Sequence, residues 1–141
     1  MATEQKYNTI KEYLDHLIAG RETSCVEFKY GKGGFPHKEF WPSYSSFANT
    51  DGGVIIIGVK EKNGNFYPEG LSAETVEQYE KIFWDSINDP NQVSRKLMTN
   101  KDVIKDDYNG NYFLIFFVPR ASREERPVYV GQNPMLSLIH I

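Results

Sequence analysis

Cysteine is almost missing from this chain of 141 residues. Cys25 is the single example, which excludes an internal disulfide framework and a zinc site built from several cysteines. The three histidines (His16, His37 and His140) show no zinc-binding spacing. No apolar run is long enough to span a membrane, and the first residues lack the apolar core of a signal peptide. We therefore expect a cytoplasmic protein with no membrane partner.

An excess of positive charge is also missing, because the formal net charge is −3. This balance argues against a protein that coats nucleic acid through a basic surface all round. The charge is nevertheless uneven: residues 1–90 carry nine basic and fourteen acidic side chains, whereas residues 91–141 carry seven basic and five acidic ones. Any surface that binds nucleic acid must therefore be a local patch.

Apolar residues are present in the proportion expected of a folded domain, at 40% of the chain, with 25% charged residues. The length predicts one domain that is large enough for a real core. Because we find no repeat and no internal boundary, we interpret residues 1–134 as a single domain.

One stretch, FANTDGGVIIIGV at residues 47–59, organises the prediction. Its branched apolar run without alternation predicts a strand that is buried on both faces. The double glycine before the run predicts the end of a helix and a tight turn. We interpret Asn49 and Asp51 as turn and capping residues of this connection. Charged residues follow the strand abruptly, and sites often lie at such carboxyl ends.

The remaining pattern predicts an α+β fold. Helices are expected at residues 9–18, from about Trp41, and from a serine N-cap at Ser72 to Ile87. Strands are expected around residues 26–29, 54–59, 66–67, 103–104, 112–118 and 127–131. This order predicts a mixed sheet of about five strands with helices packed on it, and a right-handed crossover if the first two strands are parallel.

A loop rich in glycine, residues 30–36, follows the first predicted strand. We interpret it as a flexible hairpin or lid. Lys32, between two glycines, leaves phosphate binding by the loop backbone open as an alternative. A Walker loop is excluded because no Gly-Lys-Ser/Thr follows at the required spacing, so ATP binding has little support.

Three segments resemble the Schlafen AlbA_2 domain, which in bacterial proteins is often called a DNA-binding domain or divergent AAA-4. They are ETSCVEFK (residues 22–29), SFANTDGG (46–53) and IGVKE (57–61), and RPVY (126–129) followed by Asn133-Pro134 is similar to that family's closing strand. The resemblance covers about residues 7–134. It implies a nucleic-acid-binding part of a transcription regulator, with a further domain downstream in a longer parent protein.

Animal Schlafen proteins use this domain as an endoribonuclease on structured RNA such as tRNA, which is the alternative that the resemblance implies. Their nuclease carboxylates match Glu22, Glu27 and Glu61 in this chain, and such carboxylates would hold Mg²⁺ or Mn²⁺. The family often has Asp where Glu61 stands, and commonly an acidic residue where Lys60 stands.

Strand geometry bears on these catalytic candidates. Lys29 lies on the same strand face as Glu27 and would stabilise charge on a phosphate undergoing cleavage. Glu22 and Glu27 are five residues apart, so a straight strand would place them on opposite faces. The site therefore needs a bend near Ser24, or a Glu22 that the preceding linker contributes. An ordinary solvated strand face remains the alternative for Glu27 and Lys29, and a polar turn for Glu61.

Basic residues on several segments are candidates for phosphate contacts. They are Lys29, Lys32, Lys38, Lys60, Lys62, Arg120, Arg123 and Arg126. Glu124 and Glu125 alternate with the arginines, so a solvated loop remains an alternative there. Nothing in the pattern predicts a reader of base edges, and we expect binding dominated by backbone and shape.

The last residues, MLSLIHI at 135–141, depart from the family. An apolar end is unfavourable on a monomer. We interpret it as an atypical, non-native tail and exclude it from functional reasoning; if it is native, it predicts a homodimer contact. A third functional reading, an assembly domain that binds no nucleic acid, therefore stays open.

Overall fold

Four strands form the central sheet of the computed structural model, which describes residues 25–63, 65–108 and 110–131. They are β1 (Val26–Lys29), β2 (Gly53–Ile57), β5 (Val103–Tyr108) and β6 (Asn111–Val118). Their order is β1-β2-β6-β5, with β1 and β2 parallel and the other neighbours antiparallel. A separate antiparallel pair is formed by β3 (Lys60–Lys62) and β4 (Asn65–Tyr67). The expected α+β class with a mixed sheet is confirmed.

Helix α1 (His37–Asn49) connects β1 to β2. It begins four residues before the predicted start at Trp41, so Pro42 lies inside the helix rather than in its first turn. Phe40 and Trp41 are completely buried, and the Trp41 indole N–H donates to His37 Nδ1 at 3.1 Å. The prediction of the start was wrong because burial of these two aromatic side chains favours a longer helix than the proline suggests.

Helix α2 (Ala73–Ile87) has the serine N-cap that the sequence predicts. The backbone N–H of Thr75 donates to Ser72 Oγ at 3.1 Å, which satisfies one of the unpaired donors of the first turn. The helix also ends at the predicted residue. A short 3-10 helix (Asn100–Asp102) precedes β5. Within the described ranges, no helix is long and apolar enough to cross a membrane.

Both faces of β2 are buried, as its uninterrupted apolar run predicts. On one face α1, α2 and β6 form an aromatic core, in which the Trp41 and Phe83 rings are stacked at 5.7 Å with an angle of 8° between them. On the other face Val54 and Ile56 pack with apolar residues of β6. The central strand is therefore the centre of two separate hydrophobic clusters.

The turn between α1 and β2 follows the predicted helix stop, but Asn49 has a different role from the one expected. Gly52 donates its N–H to the Phe47 carbonyl at 2.8 Å, and its φ of +81° suits glycine. The Asn49 side chain instead contacts Val128: its Oδ1 accepts from the backbone N–H, and its Nδ2 donates to the carbonyl, each at 2.7 Å. Asn49 thus fixes the end of the described chain against α1.

This pairing also changes the predicted final strand at residues 127–131. The segment forms only an isolated bridge, between Val130 and Val93, so the prediction of a strand was wrong. The Asn49 amide takes the place of a neighbouring strand at Val128. The predicted first helix at residues 9–18 and the tail at 135–141 lie outside the described residues.

Candidate functional site

A groove of about 640 Å³ opens at the carboxyl end of β1, between the glycine loop and β3. Its position follows from the parallel pairing of β1 and β2, which brings the ends of both strands to one edge of the sheet. Charged side chains dominate its polar lining: Lys29, Lys32, Glu39, Lys60 and Glu61 all contribute. We call this part of the molecule the groove end.

Glu27 and Lys29 form an ion pair beside the groove. Lys29 Nζ lies 3.2 Å from Glu27 Oε2, and the Ser43 hydroxyl of α1 donates to the same oxygen. The Lys29 side chain is only 17% exposed, whereas that of Glu27 is 45% exposed. The two side chains share a strand face, and that face is turned towards α1 rather than being entirely solvated. Lys29 is therefore a cation held in place by the fold.

Glu61 is exposed on β3 and lines the same groove as Lys29. The third predicted metal ligand, Glu22, lies outside the described residues. In the ranges that the structure describes, no three His, Cys, Asp or Glu side chains are grouped to hold a metal ion. One Glu27 oxygen already contacts an ammonium and a hydroxyl group. The described residues alone thus do not fit Mg²⁺ or Mn²⁺, and the metal site stays a prediction that depends on Glu22.

The glycine loop is anchored to α2 by one side chain. The Tyr79 hydroxyl donates to the Gly31 carbonyl at 2.5 Å and accepts from the Gly34 N–H at 2.9 Å. Gly31 has a φ of +70°, and a Cβ there would lie 2.3 Å from Cγ2 of the buried Ile57. The loop joins β1 to α1, so the predicted hairpin is corrected, whereas a flexible lid stays a prediction.

Tyr30 and Glu69 are groove-end residues that the sequence did not reveal. The Tyr30 hydroxyl donates to Glu69 Oε1 at 2.7 Å, and this bond to a carboxylate raises the pKa of the phenol. Lys32 Nζ lies 6.0 Å from the centroid of the Tyr30 ring, and Lys60 Nζ lies 5.6 Å from it. Lys32 Nζ is also 3.9 Å from Glu69 Oε1. These partners come from three separate segments, so no local pattern could have found them.

The three predicted arginines lie in the loop after β6. Arg120 lines a smaller cavity, of about 230 Å³, together with Asp51 and Asp102. Ser122 and Glu125 fold the loop: the Ser122 N–H donates to Glu125 Oε1 at 2.9 Å. Bonds from the backbone N–H and the hydroxyl of Ser122 lower the pKa of the Glu125 carboxyl, and the nearby Arg95 adds to this effect.

Comparison with known families decides what kind of domain this is. The sequence model of the Schlafen AlbA_2 domain matches residues 22–135, most of the chain. The chain belongs to the Schlafen AlbA_2 family. The matched range includes the groove end, the arginine loop and every segment on which the resemblance rests. It begins at residue 22, whereas the resemblance was expected to begin at about residue 7.

A solved structure supports the fold of this Schlafen AlbA_2 domain. The solution NMR structure of the N-terminal domain of a RecG-related protein from Nitrosomonas europaea superposes with a TM-score of 0.62, at 22% sequence identity. The match covers 86% of this chain and 80% of that one. At this level of identity the likeness concerns the fold alone. A comparison with curated proteins found no match.

The Schlafen AlbA_2 fold places the eight predicted basic residues at two opposite ends of the sheet. β6 runs antiparallel to β2, with Val118 opposite Gly53, so the arginine loop follows at the amino end of β2. The glycine loop lies at the carboxyl end, roughly 13 Å away along the strand. Three lysines line the groove: Lys29, Lys32 and Lys60. The exposed Lys38 of α1 and the exposed Lys62 of β3 are next in sequence to Glu39 and Glu61, which also line it, and we count them with the groove end. We call the other part, with Arg120, Arg123 and Arg126, the arginine end.

Proposed function

We propose that this Schlafen AlbA_2 domain is a module that binds nucleic acid at its groove end, as the binding part of a regulator and without turnover. One observation carries the proposal: Lys60 of β3 lines one groove together with Lys29 and Lys32, which lie at the end of β1 and in the loop after it. Phosphate groups supply the affinity of most non-specific nucleic-acid contacts, and ammonium groups around a groove are their usual partners.

The state of each lysine supports this role. The Lys29 ammonium is held by Glu27, so it is a fixed contact in the floor of the groove. The Lys32 side chain is 71% exposed and is able to move onto a phosphate at little cost. Since the whole chain is net negative, long-range attraction is weak, and binding depends on these local contacts. The expected binding is sensitive to salt and tolerant of sequence.

The test compares charge reversal at the two ends of the sheet. One variant carries Lys32→Glu and Lys60→Glu, and its matched control carries Arg120→Glu and Arg123→Glu, so both variants change the net charge equally. Fluorescence anisotropy with labelled RNA and DNA, at salt concentrations from about 50 to 200 mM, gives affinity and salt dependence. We expect the lysine variant to lose at least about tenfold in affinity, and its salt slope to fall by roughly 1.4 to 1.8.

The control should lose less than about threefold, through general electrostatics alone. An equal loss in both variants would show that the groove is not the binding site. Absence of binding by the unmodified domain to either nucleic acid, even at the lowest salt, would refute the function itself. Light scattering of the same samples without nucleic acid then tests the assembly-domain alternative.

Endoribonuclease activity is a second candidate, because Glu27 lies beside the groove that Glu61 and Lys29 line. The described residues supply two of its three predicted carboxylates. Labelled tRNA with Mn²⁺ is the substrate of choice, and Glu27→Ala is compared with the unmodified domain and with Glu124→Ala. Cleavage that only Glu27→Ala abolishes supports the activity; no cleavage, or equal cleavage by all three proteins, contradicts it.

A further inference from the structure

Two tyrosines lie next to one lysine at the groove end. Lys60 Nζ is 5.6 Å from the centroid of the Tyr30 ring, and Lys60 is paired directly opposite Tyr67 between β3 and β4. Directly opposite residues of an antiparallel pair point to the same side. Tyr67 is 45% exposed, one of the most exposed large hydrophobic side chains in the described ranges. Aromatic rings and ammonium groups are therefore combined at the mouth of the groove.

Tyr30 is held in a fixed orientation. Its hydroxyl donates to Glu69 Oε1, at the end of the ring away from the backbone, so both ends of the side chain are tied down. The ring remains only half-buried. A ring whose rotation is already restricted loses little entropy when a planar ligand stacks on it. The Lys32 and Lys60 ammonium groups near this ring are on flexible stems, and an incoming group would displace them easily.

This combination fits a single strand better than a duplex. A duplex hides the faces of its bases, whereas unpaired bases stack on aromatic side chains while cations contact the adjacent phosphates. We propose that the groove binds a single-stranded stretch of DNA or RNA by stacking an unpaired base on Tyr30, with Tyr67 as a second platform. On stacking, Lys32 and Lys60 leave the ring and contact the flanking phosphates. The inference rests on the proposed function and specifies its ligand.

Binding of short labelled oligonucleotides to the full chain tests the stacking. Each protein is measured with a normal strand, the same strand without bases, and a duplex. The variants are Tyr30→Leu, Tyr67→Leu and, as a matched control, Tyr112→Leu. Tyr112 is 39% exposed, but it lines a different cavity. Three acidic residues (Glu77, Asp106 and Asp107) outnumber Lys105 there, so a phosphate backbone would be repelled.

We expect the single strand to bind at least about tenfold more tightly than the duplex. Tyr30→Leu should weaken binding of the normal strand roughly 5- to 150-fold, the range that loss of one stacked base spans. The same variant should bind the strand without bases within about twofold of the unmodified protein. Tyr67→Leu should show a smaller loss of the same kind, and Tyr112→Leu none.

Two results would overturn the stacking inference: duplex binding as tight as single-strand binding, or an equal loss by Tyr30→Leu with and without bases. Neither result refutes the proposed function if reversal of Lys32 and Lys60 still weakens binding of every probe. The variant Tyr30→Phe keeps the ring but removes the bond to Glu69, so it distinguishes loss of stacking from loss of local structure. This variant should keep most of the affinity, and a loss equal to that of Tyr30→Leu would contradict stacking. Thermal unfolding of each variant confirms that the fold is intact.

Discussion

The two ends of the sheet hold their cations in different ways. At the groove end, the lysines come from β1, the glycine loop and β3, and they contact a carboxylate or an aromatic ring. At the arginine end, three arginines come from one short loop that Ser122 and Glu125 fold from within. Lys29 and Lys32 are close in sequence, whereas Lys60 joins them at the groove from a distant segment. Strand direction therefore decides which cations from distant segments lie at the same end of the sheet.

The largest expected effect concerns the backbone of the groove end. Gly31→Ala forces a positive φ on alanine and places its Cβ 2.3 Å from Ile57 Cγ2, so we expect a loss of about 3 kcal/mol in the free energy of unfolding. Gly33→Ala is the matched control in the same loop. Its φ is +97°, but no atom lies within 4 Å of the new Cβ, so we expect about 1 kcal/mol from strain alone. Urea denaturation measures both, and equal losses would contradict the close packing of this loop.

The next effect concerns the other end of α1. Asn49→Ala removes both of its bonds to the Val128 backbone next to the core, while the Ser45 hydroxyl still donates to the Val128 carbonyl, so we expect a loss of about 2 kcal/mol in the free energy of unfolding. Asn100→Ala, at an exposed position, should change this free energy by less than about 0.5 kcal/mol. If the two ends are independent, Asn49→Ala will leave nucleic-acid affinity unchanged at temperatures where the variant is folded. A large loss of affinity would show that the ends are coupled.

Removal of one negative charge at the groove end should raise the affinity for nucleic acid. Glu69→Gln removes the carboxylate near Lys32, so we expect nucleic-acid affinity to rise by about two- to fivefold, the scale of one exposed ion pair. Glu124→Gln, in the exposed arginine loop, changes the net charge equally and should leave the affinity nearly the same. Anisotropy titrations at low salt compare the two. A rise that is equal in both variants would indicate general electrostatics and not a local site.

The smallest effects are on pH dependence, and they have opposite signs at the two ends. The pKa of Glu125 is below its ordinary value of 4.5, so its bonds to Ser122 stabilise the fold above that value, and the contribution is lost as pH falls through the folded pKa. The pKa of Tyr30 is above its ordinary value of 10.0. Its bond to Glu69 therefore stabilises the fold below that value, and this stabilisation is lost as pH rises through the folded pKa. The melting temperature is measured against pH for two variants. Glu125→Gln should lose the acid dependence, and Tyr30→Phe should lose the alkaline dependence. Unchanged slopes in both variants would contradict the assignment.

Local patterns in the sequence were enough for several elements of the fold. The apolar run of β2 requires burial on both faces, since a strand without alternation has no solvated side. Ser72 caps α2 because its hydroxyl reaches a donor only three residues away. The alternation at Glu27 and Lys29 places both on one face, and their ion pair follows. Each of these features depends on backbone periodicity or on a contact within a few residues.

The contacts that build the groove end, and the contact that fixes the end of the described chain, depend on distant partners instead. Tyr79 bonds to Gly31 over 48 positions, Tyr30 bonds to Glu69 over 39, and Asn49 bonds to Val128 over 79. No local rule selects such partners, because they depend on how whole elements pack.

The sequence by itself therefore determined the family, the α+β class, the buried central strand and the charged residues that are candidates for a site. Only the tertiary structure decided which candidates meet. The parallel direction of β1 and β2 brings the lysines to one edge, and the antiparallel β6 carries the arginines to the other. The physical reason is that strand direction reverses the end at which the following loop emerges, and direction is a property of pairing rather than of any segment alone.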